Sequence, residues 1–269
     1  VGWDYCKFLT GAQSGTICNG NGSPINAFFP STGNHEYTDG GGINEYLSYF
    51  NLPGVGVQSS NTSGSEKYYD FVQGSIHFFV IDSYDAMTNG TLDVQKSWLQ
   101  TQMAASSSIW NVVYFHHPPF SSSTTHGSEV AMRWPFAEWG ADAVLNGHDH
   151  TYERLHKDNV VYFVNGLGGM SKYGFSARIL ESAFQYNAEY GAQKVVADDV
   201  SMTFSFININ NVVIDGYTIY KTAPPLVSLS NPLNNTHFDA PQTVTITADS
   251  TYSDGTISTV EFFCEWVIC

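Results

Sequence analysis

Charge is scarce in this chain, and positive charge is scarcest. Charged residues make up 13% of the 269, about half the usual quarter. The 25 acids against 10 bases leave a formal net charge of -15, a field that repels phosphate backbones and anionic head groups. That balance argues against nucleic-acid wrapping and against polybasic docking on membranes. Long apolar runs are missing too. The longest strand-like stretch runs from Ile76 to Ile81, far short of the roughly 18 residues of a membrane span. No basic n-region followed by an apolar h-region is present, so any signal peptide is expected to be either absent or already missing from this chain. What remains is ample for a core: 42% hydrophobic and 15% aromatic residues exclude a disordered chain. At about 150 residues per domain, the length suits one large domain with a smaller appendage.

Cysteine is sparse and clustered. The 4 cysteines fall into two close pairs, Cys6 with Cys18 and Cys264 with Cys269. In a chain rich in Ser, Thr and Asn this usage suggests an oxidising compartment, and the expectation is a secreted, extracellular protein. A bridge from Cys6 to Cys18 would contribute about 3 kcal/mol through loop closure, although spacing alone does not choose among the possible pairings. Sequons begin at Asn21, Asn61, Asn89 and Asn234; they bear on glycosylation only in a eukaryotic secretory pathway.

Segments with β-branched and aromatic bias recur at Ile76 to Ile81, Val112 to Phe115, Ala143 to Leu145, Val160 to Val164, Lys194 to Ala197, Met202 to Ile207 and Val212 to Tyr220, and each reads as a strand. Helical patterns lie between several. Val94, Trp98, Leu99 and Met103 share one face behind a Thr91 cap, and Glu129 to Trp139 is a second candidate despite Pro135. Alternating helices and strands predict an α/β fold. The style changes at Thr222. Pro224 and Pro225 read as a linker, after which Val244, Ile246 and Ala248 alternate with threonines as in a half-buried antiparallel strand. The expected division is residues 1–222 and residues 223–269, the second too short for a complete sandwich of about 100 residues.

The residues able to do chemistry sit in three loops, each after an apolar run: GNHEY (Gly33 to Tyr37) after Ala27 to Phe29, HHPPF (His116 to Phe120), and NGHDHTYER (Asn146 to Arg154). Loops at the carboxyl ends of strands in an α/β sheet converge on one crevice. In GHDH, an extended backbone would project His148 and His150 to the same side, where they bind one metal or reach two about 4 Å apart. Of His116 and His117, one is expected to face the crevice and the other to pack, with Pro118 and Pro119 stiffening the exit. In GNHE, Asn34 offers a neutral oxygen ligand and His35 a group that titrates near neutral pH. Glu36 is expected to orient a neighbouring ring. Asp82 ends its strand, and turn or packing duty is the commoner fate of such an acid.

Taken together, GNHE, the strand-terminal V-x-x-H of Val113 to His116, and GHxH resemble the calcineurin-like metallophosphoesterases, and within them the purple acid phosphatase group. Supporting stretches are YYDFVQG with a strand ending IDS, His126 ahead of AMR, and YFVNGLGG, so the likeness covers about Trp3 to Lys221. The resemblance implies a four-layer α/β/β/α sandwich. It implies that Asn34, His116 and His148 bind one metal, that His150 belongs to a second, and that His35 and His126 line the phosphate with His35 as the donor to the leaving group. The family's cofactor is a dinuclear centre of iron with zinc, manganese or iron. Its chemistry is in-line attack of a metal-bound hydroxide on a small phosphate ester.

One departure is marked. The motifs GDxG and GDxxY, which in the family supply two aspartates and, in purple enzymes, a tyrosinate, do not occur before GNHE. The chain therefore reads as cut on its amino side, with sheet edges unpaired and core surface exposed. At most one metal per chain is expected, because two close cations repel strongly without carboxylates between them. At the other end, TVTITA and SDGTISTVEFF resemble a bacterial immunoglobulin-like module, which CEWVIC then leaves. The expected activity is hydrolysis of phosphate monoesters. The alternatives are a metallophosphodiesterase or nucleotidase, and an inactive fragment serving as a secreted binding module.

Overall fold

The computed structural model describes residues 6–10, 22–60, 62–221, 226–239, 242–251, 257 and 259–262. The expected cysteine pairings, the Pro224 and Pro225 linker and the sequons at Asn21 and Asn61 fall outside the described residues and side chains. Helices among the described residues are α1 (His35–Thr38), α2 (Ile43–Tyr49), α3 (Ser83–Thr88) and α4 (Leu92–Ala105). None is long and apolar enough to cross a membrane.

The main sheet has seven strands: β1 (Tyr69–Gln73), β2 (Ile76–Val80), β3 (Trp110–Tyr114), β4 (Ala143–Asn146), β5 (Tyr152–Lys157), β6 (Val160–Asn165) and β7 (Ser182–Tyr186), ordered β1-β2-β3-β4-β6-β5-β7. The inner run β2, β3, β4 and β6 is parallel, while β1, β5 and β7 add antiparallel edges. Parallel strands are covered on both faces. This is why VVYFV in β6 is buried at every residue from Val160 to Val164.

A second, antiparallel sheet follows, made of β8 (Gly191–Ala197), β9 (Ser201–Asn208) and β10 (Val213–Tyr220) in the order β10-β9-β8. Along β9 the burial alternates, and Met202, Phe204 and Phe206 turn inward onto Trp110, Val112, Ala143, Val161 and Phe163 of the first sheet. Period two is what an inward-facing strand requires. The two sheets are also pinned by Arg154 of β5, which pairs with the nearly buried Asp215 of β10 at 2.8 Å. On the opposite face of the main sheet, Leu99 and Met103 of α4 pack against Phe79, Ile81 and Val113. The described layers are thus helix on sheet on sheet, a mixed α/β arrangement. A separate two-stranded antiparallel ladder pairs β11 (Leu226–Asn231) with β12 (Thr247–Thr251).

Several expectations are corrected. Glu129 to Trp139 is not a helix beyond the single 3-10 turn Val130–Met132, since Pro135 removes a donor and disfavours helical backbone at Trp134. In α4 the inward stripe is Gln95, Leu99 and Met103, whereas Val94 is 59% exposed. Gln95 is buried because its amide completes the hydrogen bonding of Asp82: Oε1 accepts from the Asp82 N–H and Nε2 donates to the Asp82 carbonyl, each at 3.0 Å. Thr91 begins this helix without a capping bond of its own and instead donates to Asp85 Oδ2 at 2.9 Å. Ala27 to Phe29 joins no ladder, and the alternating stretch from Val244 becomes strand only at Thr247.

Strand β8 pairs on one side only, with β9. Beside it lies a cavity of about 470 Å³ lined by Phe29, Phe71, Phe78, Tyr114, Leu145 and Val195, among others. The buried Nε2 of Gln193 on β8 has no hydrogen-bond partner.

The Gln95 geometry makes a prediction. Gln95→Leu keeps the volume but strands the buried Asp82 N–H and leaves the Asp82 carbonyl with the Ala86 N–H at 3.0 Å as its remaining donor, and should cost about 1–3 kcal/mol, read as a lower midpoint in urea denaturation. Val94→Ala, on the solvent side, should cost less than about 0.5 kcal/mol.

Candidate metal centre

The site grows from the pairing of β3 with β4. Their parallel register aligns Tyr114 with Leu145, and the ladder runs past the strand ends: Phe115 N–H donates to the Leu145 carbonyl at 3.1 Å and Gly147 N–H to the His116 carbonyl at 3.0 Å. His116 therefore stands beside Gly147 and His148. Neighbouring strands are about 4.8 Å apart, so side chains leaving them at one level meet.

GNHE supplies a third group from outside the ladder. Asn34 occupies the cap position of α1 yet makes no capping bond with its side chain; its Oδ1 lies 2.9 Å from His116 Nε2 instead. Gly33 is demanded by this approach, since a Cβ there would sit 2.8 Å from His116 Nδ1. Glu36 does not orient a ring, as its Oε2 accepts from the Gly33 N–H at 2.7 Å and fixes the turn. His148 Nδ1 is also 2.9 Å from His116 Nε2. Three uncharged donor atoms, Asn34 Oδ1, His116 Nε2 and His148 Nδ1, thus face one another, and one imidazole N–H satisfies at most one of these contacts. A shared cation suits all three lone pairs, so the donor set fits a metal such as zinc or iron.

His117 departs from the expectation that it packs away from the crevice. The chain leaves β3 before His116 and bends there, so strand alternation no longer holds. Ring nitrogens of His116, His117 and His148 all lie within 4.8 Å of one another. The Nδ1 of His117 is 2.9 Å from Ser83 Oγ, which also receives the His117 backbone N–H at 3.1 Å. The extended backbone expected for GHDH is absent as well. His148 has φ 63, and Asp149 and Thr151 N–H groups reach back two residues to the Gly147 and Asp149 carbonyls at 2.7 Å each. Gly166 permits this tight winding, because a Cβ there would meet the Asp149 carbonyl oxygen at 2.0 Å.

His150 shares a cleft of about 400 Å³ with His116 and His148. Its Nδ1 donates to the Ser171 carbonyl at 2.7 Å, and its ring stacks on Tyr173 at 4.1 Å. A carbonyl only accepts, so the proton is on Nδ1 and the lone pair on Nε2, the tautomer a metal ligand needs. His126 stacks on His148 with ring centroids 3.9 Å apart. His35 is not brought to this cluster. Its side chain is 70% exposed and bonded to Asp39 at 2.7 Å, and it borders a separate cavity of about 410 Å³ with Glu36, Asp39, Glu45 and Tyr46. Asp82 is fully buried. Its oxygens accept from the Asp85 N–H at 2.9 Å and from the Tyr37 hydroxyl, so it caps α3 and holds the turn of GNHE. Asp149 and Glu153, which sequence reasoning passed over, are completely buried acids of the same loop.

Burial first, and repulsion among neighbouring imidazoles second, push the histidines down: His116 to about 2, His117 and His148 to about 4. The ordinary value is about 6.5. All three are neutral lone-pair carriers at neutral pH. Because the folded values lie below the unfolded one, protons bind the unfolded chain more tightly. Metal-free protein should therefore be most stable above pH about 6.5 and lose stability progressively as the pH falls toward about 4, a trend that thermal unfolding in chelator across that range measures.

Residues 11–152 match the family described as Calcineurin-like phosphoesterase, and residues 225–265 match Bacterial Ig domain. Among characterised relatives, Purple acid phosphatase 15 of Arabidopsis thaliana is 34% identical over 158 residues, 51% of this chain and 28% of that protein. A Purple acid phosphatase of Glycine max is 31% identical, covering 51% of this chain and 32% of its own. The Phosphoenolpyruvate phosphatase of Allium cepa is 30% identical over 49% of this chain and 29% of that one. The chain thus spans roughly 30% of the length of these relatives. Among solved structures, GAP50, the anchor in the inner membrane complex of Plasmodium, superposes with a TM-score of 0.51 at 17% identity, over 57% of this chain and 54% of the other. That likeness concerns the fold alone.

Proposed function

Since the chain belongs to the calcineurin-like phosphoesterase family, a family of metal-dependent phosphoric ester hydrolases, we propose that it hydrolyses phosphate monoesters in the manner of an acid phosphatase. The observation that carries this reading is the meeting of three uncharged donors, with His116 Nε2 2.9 Å from both Asn34 Oδ1 and His148 Nδ1. Asn34, His116 and His148 are the residues that hold the metal, and His150, with Nε2 free, is the group that faces a second ion where one is bound. Such a centre supplies activated water and neutralises charge on the phosphoryl oxygens. The chain's own part is to keep the imidazoles neutral and aimed. His126, stacked on His148, meets the phosphate oxygens, and His35, at the exposed start of α1, is the donor to the leaving group.

The same proposal divides the chain into a phosphoesterase unit at residues 1–222 and an immunoglobulin-like unit at 223–269, supported by the gap between the two family matches. A secreted location follows from the sparse, paired cysteines and the Ser- and Asn-rich composition.

The test is metal analysis of the purified chain beside hydrolysis of an aryl phosphate and a bis-aryl phosphate. One weakly bound divalent ion per chain is expected, with faster cleavage of the monoester. Turnover should be at least about a hundredfold below that of a chain bearing GDxG and GDxxY, the loss being the two-metal clamp. His116→Ala and His148→Ala should abolish metal binding; His126→Ala and His35→Ala should keep it and lower turnover by about 10²–10⁴. Two tightly bound metals with brisk turnover, or binding that survives loss of His116 and His148, would overturn this reading.

A further inference from the structure

Asp149 lies between the two histidines of GHDH, has no exposed surface and faces no cation. Its carboxylate accepts three hydrogen bonds, all from one segment: Ser121 Oγ at 2.7 Å, Gly127 N–H at 3.1 Å and His126 N–H at 3.2 Å. Four residues on, Glu153 is equally buried and accepts from the Ser122 N–H at 2.7 Å, the Ser122 hydroxyl at 2.6 Å and Gln185 Nε2 at 3.0 Å. Two buried acids of one motif thus grip the Ser121-to-Gly127 loop at both ends. The loop also closes on itself, since Ser128 Oγ accepts from the Ser121 N–H at 3.0 Å and donates to the Ser121 carbonyl at 3.3 Å.

An unpaired buried carboxylate is costly, and hydrogen bonds to a charged group are the strong ones. The charge on Asp149 is tolerated because these donors surround it, so the loop is held in the one arrangement that supplies them. That arrangement hangs the His126 ring over His148 at 3.9 Å, with Tyr173 closing the far side at 5.7 Å. The carboxylate oxygens point at backbone and hydroxyl donors of the loop, not into the cluster of ligand nitrogens.

We propose that Asp149 is the positioning residue for His126, fixing that ring over the metal ligand His148 through the backbone N–H groups of His126 and Gly127, with Glu153 anchoring the other end of the loop. The role of His126 toward phosphate rests on the function proposed above; its placement by Asp149 does not.

The experiment uses the full chain in chelator, so that placement is read apart from catalysis. Asp149→Asn presents an amide where a carboxylate oxygen met N–H donors. It should speed hydrogen exchange at His126 and Gly127 by at least about tenfold and erase the nuclear Overhauser contact between the His126 and His148 rings, while the Phe79 and Val113 amides stay protected. Ser121→Ala, which removes a single donor, should shift the same two amides in the same direction by less and keeps the test open if Asp149→Asn does not fold. Unchanged exchange and an intact ring contact in the variant that folds would overturn the proposal. With zinc added, Asp149→Asn should bind the metal within about threefold of the parent; loss of zinc to the extent seen in His148→Ala would show that Asp149 acts on His148 instead and would also overturn it. Where the chain hydrolyses an aryl phosphate, Asp149→Asn should lower turnover in the parent but by less than about twofold in a His126→Ala background, the non-additivity of a residue acting through its partner. If no hydrolysis is seen at all, the function proposed above fails while the exchange and ring-contact readings still decide the role of Asp149.

Discussion

The parallel register between β3 and β4 is the constraint on which the site depends. It pairs Val112 with Ala143, Val113 with Val144 and Tyr114 with Leu145, and two further backbone bonds carry the alignment to His116 and Gly147. A slip of one residue would turn each of these side chains to the opposite face, trading the core that packs against Met202, Phe204 and Phe206 for the one that packs against α4. The apolar clusters on the two faces thus fix the register, and the register brings His116 beside His148. Asn34, more than eighty positions away in the chain, reaches the same point because its turn is held by Glu36 on the Gly33 amide and by the close seating of Gly33 on the His116 ring.

The acids of this region serve the architecture rather than the ligand set. Asp82 caps α3 and receives the Tyr37 hydroxyl, Asp149 and Glu153 grip the Ser121-to-Gly127 loop, and Asp215 ties β10 to Arg154. Only Asp215 has a cation as partner; the others are compensated by N–H and O–H donors. Carboxylates so engaged do not bridge two metal ions without giving up those bonds. That is the physical ground for expecting no more than one ion from a donor set made of an amide and imidazoles.

Much of the fold was legible because the inner strands are buried on both sides and read as apolar runs, and the GNHE, V-x-x-H and GHxH loops could be placed at their ends. The antiparallel strands β1, β5 and β7 that flank the parallel run of the main sheet were not legible. In β5 the run Tyr152–Lys157 looks charged, yet Glu153 is buried by Ser122, 31 residues away, and Arg154 by Asp215, 61 residues away; compensation at such separation leaves no local pattern. Gln95 had no place in the predicted inward face for the same reason, since its burial follows from the Asp82 backbone and not from its own polarity. His117 and the winding of GHDH were missed because strand periodicity was carried past the strand ends. At that point close packing at Gly33 and Gly166 sets the backbone instead.

The site's electrostatics then have a single source. The cleft around His116, His148 and His150 is otherwise lined by glycines, Asn165 and Met170. Two basic groups of the adjoining segments are engaged elsewhere: Arg133 donates to the Pro119 carbonyl and lies over Phe120, and Lys172 bonds the Ala188 carbonyl over Tyr190. His116 and His148 are held neutral by burial. An anionic ester approaching a chain of net charge -15 meets no lysine or arginine among the residues that line that cleft, so on the function proposed above attraction for it would come from an ion held by Asn34, His116 and His148, with neutral N–H donors completing the contact. In that proposal, affinity for metal and affinity for phosphate would be one coupled property of the site, set by the same three uncharged atoms.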